Sequence, residues 1–269
     1  MKIFKSINTL NKNDNFKATI GFVPTMGALH KGHISLIKKS KKKCKKTLVS
    51  IFINPTQFEK KDDFKNYPQN LTADINILKQ LKVDYLLIPK FNEIYKSKND
   101  TTIKIENKYK IMCAKYRPGH FEGVLAVIYQ FLKKINPNYL FLGMKDYQQL
   151  FLIKRLVKKN FSTKIIECKT IRDKKYLPYS SRNYKLSKKN LIIARNISTD
   201  LKKIFSLIKK NLRNRKKIEA LKTKILKYNV FLEYLEIRNK NNLSINFNKN
   251  NFKIFLAYKI QNIRLIDNH

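Results

Sequence analysis

The sequence predicts an α/β fold in which a doubly wound parallel sheet is followed by a smaller α+β domain. Three observations carry this prediction. Short strand-like runs alternate with helix-spaced segments along the first two-thirds of the chain. Several runs are almost wholly apolar, as strands covered on both faces must be, and end at proline or Asn-Pro. From about Asn183 the texture changes to long lysine-rich helical patterns followed by consecutive strand-like runs. A chain of 269 residues can bury one large core or two smaller ones. The expected domains are residues 1–182 and 183–269.

In chain order, Ala18 to Val23 is β-rich and closes on Pro24, and Ile34, Leu36 and Ile37 then open a helical pattern. Lys38 to Lys46 continues that helix as its solvated face. Thr47 to Ile53 suits a buried parallel strand ending at Asn54-Pro55, and Leu71, Ile75, Leu78 and Leu81 have helical spacing. Asp84 to Pro89 and Thr101 to Ile105 read as strands. Phe121 to Ile135 reads as a helix, Tyr139 to Leu142 as a strand, Gln148 to Lys159 as a helix and Lys164 to Cys168 as a strand. Beyond them, helices are expected over Lys188 to Lys210 and Ile218 to Tyr228. Strands are expected over Phe231 to Ile237, Phe252 to Tyr258 and Ile263 to Ile266, with Asn239 to Asn251 as a loop.

Composition narrows the function classes. Hydrophobic residues make up 43% and aromatic residues 12%, which argues for a globular protein. No apolar run has transmembrane length, and the first fifteen residues lack a signal-peptide core, so a cytoplasmic location and no membrane partner are expected. Cys44, Cys113 and Cys168 are widely spaced and form no CxxC pattern, which indicates neither a disulfide framework nor a zinc site. The net charge of +41 would ordinarily raise nucleic-acid binding first. Lysine is spread through almost every segment, however, so weak salt-sensitive binding to polyanions is expected rather than specific nucleic-acid recognition.

The chemistry concentrates where strands end. In Pro24 to Ile37 (PTMGALHKGHISLI), a strand hands over to a helix through a loop holding Gly27 and Gly32. Backbone can approach a ligand there, and a helix start favours phosphate. His30 and His33 stand beside that pocket, where imidazoles titrating near neutrality can donate to phosphate oxygens. The plainer alternative is two ordinary histidines beside a loop. In SIFINPTQF, Asn54 and Gln57 offer amides suited to a small polar substrate, while Asn-Pro alone equally explains a turn. In YRPGHFEG, Arg117 and His120 flank a Pro-Gly turn in an anion-friendly arrangement. In GMKDYQQL, Lys145 is a point charge for phosphate, and Asp146 is either part of the site or a helix cap. In YSSRN, two hydroxyls and a guanidinium can grip a triphosphate, with helix capping as the alternative for the serines.

Taken in this order, PTMGALHKGH, FINPTQF, RPGHFEGV, GMKDYQQL and SSRN resemble the pantoate–β-alanine ligase family over nearly the whole chain. The resemblance implies a Rossmann-like, HxGH nucleotidyltransferase-type N-terminal domain and a small C-terminal lid domain. It implies a homodimer that joins (R)-pantoate to β-alanine with ATP and Mg²⁺, giving AMP and pyrophosphate. By the same resemblance Met26, Gly27, Ala28, Leu29, His30, Lys31, Gly32 and His33 line the ATP site, with His33 in the proton-donor position. Gly143, Met144, Lys145, Asp146, Ile171, Tyr179, Ser180, Ser181 and Arg182 complete that site. Gln57 and Gln149 would bind pantoate, and Asp74 falls in the acidic segment associated with magnesium. The chain departs from the family pattern at Met144, Gln69, Ala73, Pro178-Tyr179 and the Asp173 to Tyr176 turn. Two rivals are a nucleotidyltransferase of the same fold and a non-enzymatic basic binding protein.

Overall fold

The computed structural model describes residues 1–13, 18–59 and 61–269, which divide into two compact units, Met1–Lys169 and Thr170–His269. In the first, six parallel strands form one sheet: β1 (Lys2–Phe4), β2 (Ile20–Thr25), β3 (Lys46–Ile51), β4 (Tyr85–Leu87), β5 (Tyr139–Gly143) and β6 (Lys164–Cys168). Their spatial order is β1-β4-β3-β2-β5-β6. The helices are α1 (Ile7–Asn11), α2 (Lys31–Lys43), α3 (Lys61–Lys65), α4 (Leu71–Gln80), α5 (Phe91–Ile94), α6 (Cys113–Tyr116), α7 (His120–Ile135) and α8 (Tyr147–Asn160). From β2 the chain winds outward through β3 to β4, whereas β5 lies on the other side of β2 and winds on to β6. The switch therefore falls between β2 and β5, and ligands of such sheets bind in the crevice beyond the strand ends at that point.

Burial explains the layering. Leu36 and Ile37 of α2 pack with Val23, Val49, Leu78, Leu86 and Phe141 on one face of the sheet. Phe121, Val124, Leu125, Ile128 and Phe131 bury the core-facing side of α7. Each such side chain contributes about 1.5–3 kcal/mol on burial. The lysines at 38, 39, 41, 42 and 43 form the expected solvated face, but the helix ends at Lys43 rather than continuing to Lys46, because Cys44 is buried with an extended backbone and Lys46 opens β3. Gly123 is required by close approach, because a Cβ there would lie 2.4 Å from the Thr56 carbonyl oxygen. That contact seats α7 directly against the Asn54–Gln57 turn.

One expected strand needs correction, and one strand was missed. Thr101 to Ile105 is not a strand: a 3-10 turn covers Lys98–Thr101, and Ile103 N–H donates to the Glu122 carbonyl instead of joining a sheet. Its β-branched residues fit a strand locally, but among the described residues no neighbouring strand pairs with it. Conversely, β1 was not read from the sequence, and it forms an edge paired with β4.

In the second unit, α9 (Lys188–Lys210) and α10 (Lys217–Leu226) precede an antiparallel sheet in the order β7 (Phe231–Asn239), β8 (Phe252–Ile260), β9 (Ile263–Asn268). Ala194, Ile197, Leu201, Leu221, Ile225, Ile254 and Leu256 share its core. Residues 170–182, grouped with the first domain on sequence, pack with this unit. Leu177 enters its core, and Arg172 grips Asp267 through two bonds of 2.9 and 2.7 Å.

Candidate active site

The loop after β2 is held by interactions that the sequence pattern only partly announces. Gly27 has φ +80 and Ala28 φ +49, so two successive residues lie in the left-handed region, where glycine is at ease and alanine is not. The Asp74 carboxylate of α4 secures this turn. Its Oδ2 accepts Ala28 N–H at 2.9 Å and its Oδ1 accepts Leu29 N–H at 2.7 Å. Asp74 is itself buried; burial raises its carboxyl above the usual range, and the two backbone donors oppose that rise.

His30 is the N-cap of α2. Its Nδ1 accepts Gly32 N–H at 3.1 Å, and His33 Nδ1 accepts His30 N–H at 3.4 Å, giving a reciprocal capping box. The rings lie 4.0 Å apart at 35°. An acceptor Nδ1 carries no proton, so each neutral ring bears its hydrogen on Nε2. Burial, the neighbouring ring and Lys145 lower the His30 pKa to about 3; burial and Lys145 lower that of His33 to about 4. The sequence expectation of imidazoles titrating near neutrality is thereby corrected. The helix start expected to favour phosphate has part of its donor set occupied, since the imidazoles accept the His30 and Gly32 N–H groups. Both rings are neutral Nε2–H donors in the free protein.

This has a sign for stability. Both folded pKa values lie below the ordinary 6.5, so the folded state binds fewer protons than the unfolded chain between them. The contribution is present above pH 6.5 and lost as pH falls through the folded values. At pH 6, imidazole nitrogen resonances should report two Nε2–H neutral tautomers, and a His30→Gln/His33→Gln variant should lose less melting temperature on acidification than the parent. Protonated rings at pH 6 would overturn this assignment.

Lys145 and Asp146 follow β5, on the other side of the switch point. Lys145 Nζ lies 3.3 Å from Asp146 Oδ1, and its side chain is 19% exposed. Asp146 makes no capping bond to α8, so the capping alternative does not hold. The ammonium acts electrostatically on both imidazoles, and Asp146 acts on His30. His30, His33, Lys145 and Asp146 thus converge on the crevice between β2 and β5. Gly143 at the end of β5, Met144 in the 3-10 turn that follows it and Gln149 in the first turn of α8 are half-buried, whereas Gln148 turns inward to the Tyr109 and Ile111 carbonyls.

Gln57 is buried, with its Nε2 2.8 Å from Met26 Sδ, so the β2 and β3 loops meet. Asn54 supports it. The Asn54 amide donates to Gly123 O and Gln57 Oε1, and its carbonyl accepts from Thr56 and from Tyr95 Oη at 3.1 Å. Asn54 therefore performs the turn-forming role left open by the sequence. Tyr95 was not singled out, and no periodicity marks it. His120 is buried, and Arg117 NH1 faces its Nε2 at 2.8 Å; its Nδ1 therefore donates to Gln57 O at 2.7 Å. That pair fixes the Gln57 backbone.

In the second unit, Tyr179 N–H donates to Ile171 O, and Ser180 Oγ caps a 3-10 turn over Ser181–Lys185 by accepting from Arg182 N–H. The capping alternative accounts for Ser180. Ser181 is buried, and Arg182 reaches the Arg264 carbonyl at 3.5 Å.

Asp74 does not fit a magnesium ligand. Each of its oxygens accepts a backbone N–H, which turns the carboxylate to the loop, and among the described residues no group of three or more His, Cys, Asp or Glu side chains could hold a metal, so the protein side chains do not build a magnesium site by themselves.

A doubly wound sheet whose switch point carries an HxGH loop on one side and a Lys-Asp segment on the other defines a nucleotide-binding α/β enzyme. Comparison with known proteins places it more closely. The family model described as pantoate-beta-alanine ligase matches residues 2–269. A pantothenate synthetase of Francisella tularensis subsp. mediasiatica is 44% identical over 273 residues, spanning 100% of this chain and 94% of the relative. Pantoate-beta-alanine ligase of Francisella tularensis, solved in complex with beta-gamma ATP and β-alanine, superposes with TM-score 0.84 at 41% identity, covering 100% of this chain and 97% of that one. Pantothenate synthetase of Thermus thermophilus gives TM-score 0.91 at 27% identity, covering 100% and 99%. The chain belongs to the pantoate–β-alanine ligase family.

Proposed function

We infer that this chain condenses (R)-pantoate with β-alanine at the expense of ATP, through a pantoyl-adenylate intermediate. The observation that carries the reading is the family match along residues 2–269, with the HxGH loop and Lys145 converging at the switch point. A carboxylate is a poor electrophile at neutral pH. Its oxygen attacks the α-phosphorus of ATP, the bond to the bridging oxygen breaks, and pyrophosphate leaves with that electron pair. Negative charge builds on the α-phosphoryl oxygens and the leaving group, where the Lys145 ammonium and the Nε2–H donors of His30 and His33 meet it. The amine of β-alanine then attacks the acyl carbonyl, loses a proton as the amide forms, and AMP departs. This second step rests on positioning and exclusion of water.

Gln57 and Gln149 hold pantoate in this reading, and Asn54 acts by fixing Gln57. Met26 to His33 with Gly143 to Asp146 receive the nucleotide. Ile171 and Tyr179 to Arg182 contribute to nucleotide binding, with Ser180, Ser181 and Arg182 on the phosphates; this assignment comes from the matching motif. The expected site is cytoplasmic; among the described residues no helix is long and apolar enough to cross a membrane. The working form is a homodimer, which a solution mass of one 31.9 kDa chain would refute.

Isotope exchange between pyrophosphate and ATP tests the mechanism. Exchange should require pantoate and proceed without β-alanine. Exchange without pantoate, or none under any condition, would reject it, and a product retaining the nucleotide would favour a nucleotidyltransferase.

A further inference from the structure

We propose that Asp74 is a positioning residue of the nucleotide loop, acting as a built-in anion in the backbone nest of Ala28 and Leu29. The proposal rests on the adenylate-forming function above and replaces the metal role that the family resemblance suggests. Three observations carry it. The carboxylate is bound through both oxygens, at 2.9 and 2.7 Å, by N–H groups of adjacent residues. Those N–H groups converge because the chain turns at Gly27 and Ala28, which have φ +80 and +49, and successive N–H groups of a turn can face one anion. Finally, a Cβ at Gly27 would lie 2.9 Å from Asp74 Oδ2, so the glycine leaves room for this carboxylate.

The consequence reaches the chemistry through the chain itself. Leu29 immediately precedes His30, the cap of α2. An alanine in the left-handed region carries a steric cost and holds that shape only where its surroundings impose it. Asp74 supplies the constraint, since charge-assisted bonds to backbone N–H groups are stronger than neutral ones. It thereby fixes the height and direction of both imidazoles over the crevice, and the Ala28 and Leu29 N–H groups are unavailable to phosphate.

Asp74→Asn is nearly isosteric and keeps one acceptor, but it turns an amide N–H toward one backbone N–H. In pantoate-dependent exchange with the full chain, kcat/KM for ATP should fall about tenfold or more, as expected for a lost charge-assisted bond. The magnesium concentration giving half-maximal exchange should move less than twofold, and KM for pantoate should stay within twofold. Rates are normalised to folded protein by thermal melting. A magnesium requirement raised tenfold, with activity recovered at high magnesium, would overturn the proposal in favour of a metal ligand. Unchanged ATP kinetics, equal losses in every parameter, or failure of the variant to fold would overturn it in favour of no role or a purely structural one. Absence of pantoate-dependent exchange in the parent would instead sink the adenylate mechanism, so the two failures are distinguishable.

Discussion

Lys145→Ala should cut pantoate-dependent exchange of pyrophosphate into ATP by on the order of 10²–10³, the usual loss when one preorganised donor to developing charge is removed. The structure gives the reason. The Lys145 side chain is only 19% exposed at the end of β5, beside the switch point. A charge sheltered there interacts more strongly with a phosphate than one in open water. Its pairing with Asp146, whose side chain is 45% exposed, is a poor alternative explanation. With one partner this exposed and a 3.3 Å separation, the pair is worth on the order of 1 kcal/mol, so breaking it should lower the melting temperature only slightly. Lys145→Ala should therefore separate a large kinetic loss from a small thermal one. It should also raise the pKa of both histidines, because the ammonium helps to depress them. Near-normal exchange, or a collapse in stability equal to the loss of rate, would remove Lys145 from the reacting site.

Much of this site was legible because its parts are local. A strand, two glycines, two histidines and a helix start lie within a few residues, and periodicity finds each. Alternation of strands and helices likewise predicted the parallel sheet, and the strand ends located Lys145 and Gln57. The limits appear where a contact crosses sequence distance. Asp74 lies 46 residues from Ala28, and nothing in its helical surroundings reveals that its oxygens face a loop rather than solvent or a metal. His120 lies 63 residues from Gln57, so a Pro-Gly turn with Arg and His read as an anion site instead of a clamp on a carbonyl. Thr101 to Ile105 failed for a related reason, since β-branched residues record local preference and a strand also needs a neighbour. The histidine tautomers were illegible for a subtler cause. Their environment lowers both pKa values, and burial, the leading cause, is a property of the assembled fold.

His33→Ala should lower adenylate formation by a comparable factor, on the order of 10²–10³, but the interpretation needs two companions because the ring has two jobs. Through Nδ1 it accepts the His30 N–H and closes the capping box; through Nε2 it offers a donor. Alanine removes both, so its kinetic loss is accompanied by loss of one capping-box bond, about 0.5–1.5 kcal/mol, while the His30 cap itself remains. Asparagine can place an oxygen near the Nδ1 position and thus retain the cap without a donor at Nε2, whereas glutamine can place an amide N–H near Nε2. His33→Asn should then melt close to the parent and exchange as slowly as the alanine variant. His33→Gln should recover part of the rate. A ring held neutral with a pKa of about 4 serves this role as a hydrogen-bond donor, so the glutamine rescue does not require an ionisable group. If asparagine restored the rate while glutamine did not, the ring would matter only for shaping the start of α2. If a steep acid limb near the ordinary histidine range vanished in His33→Gln, proton transfer by the imidazole would replace hydrogen bonding as its contribution.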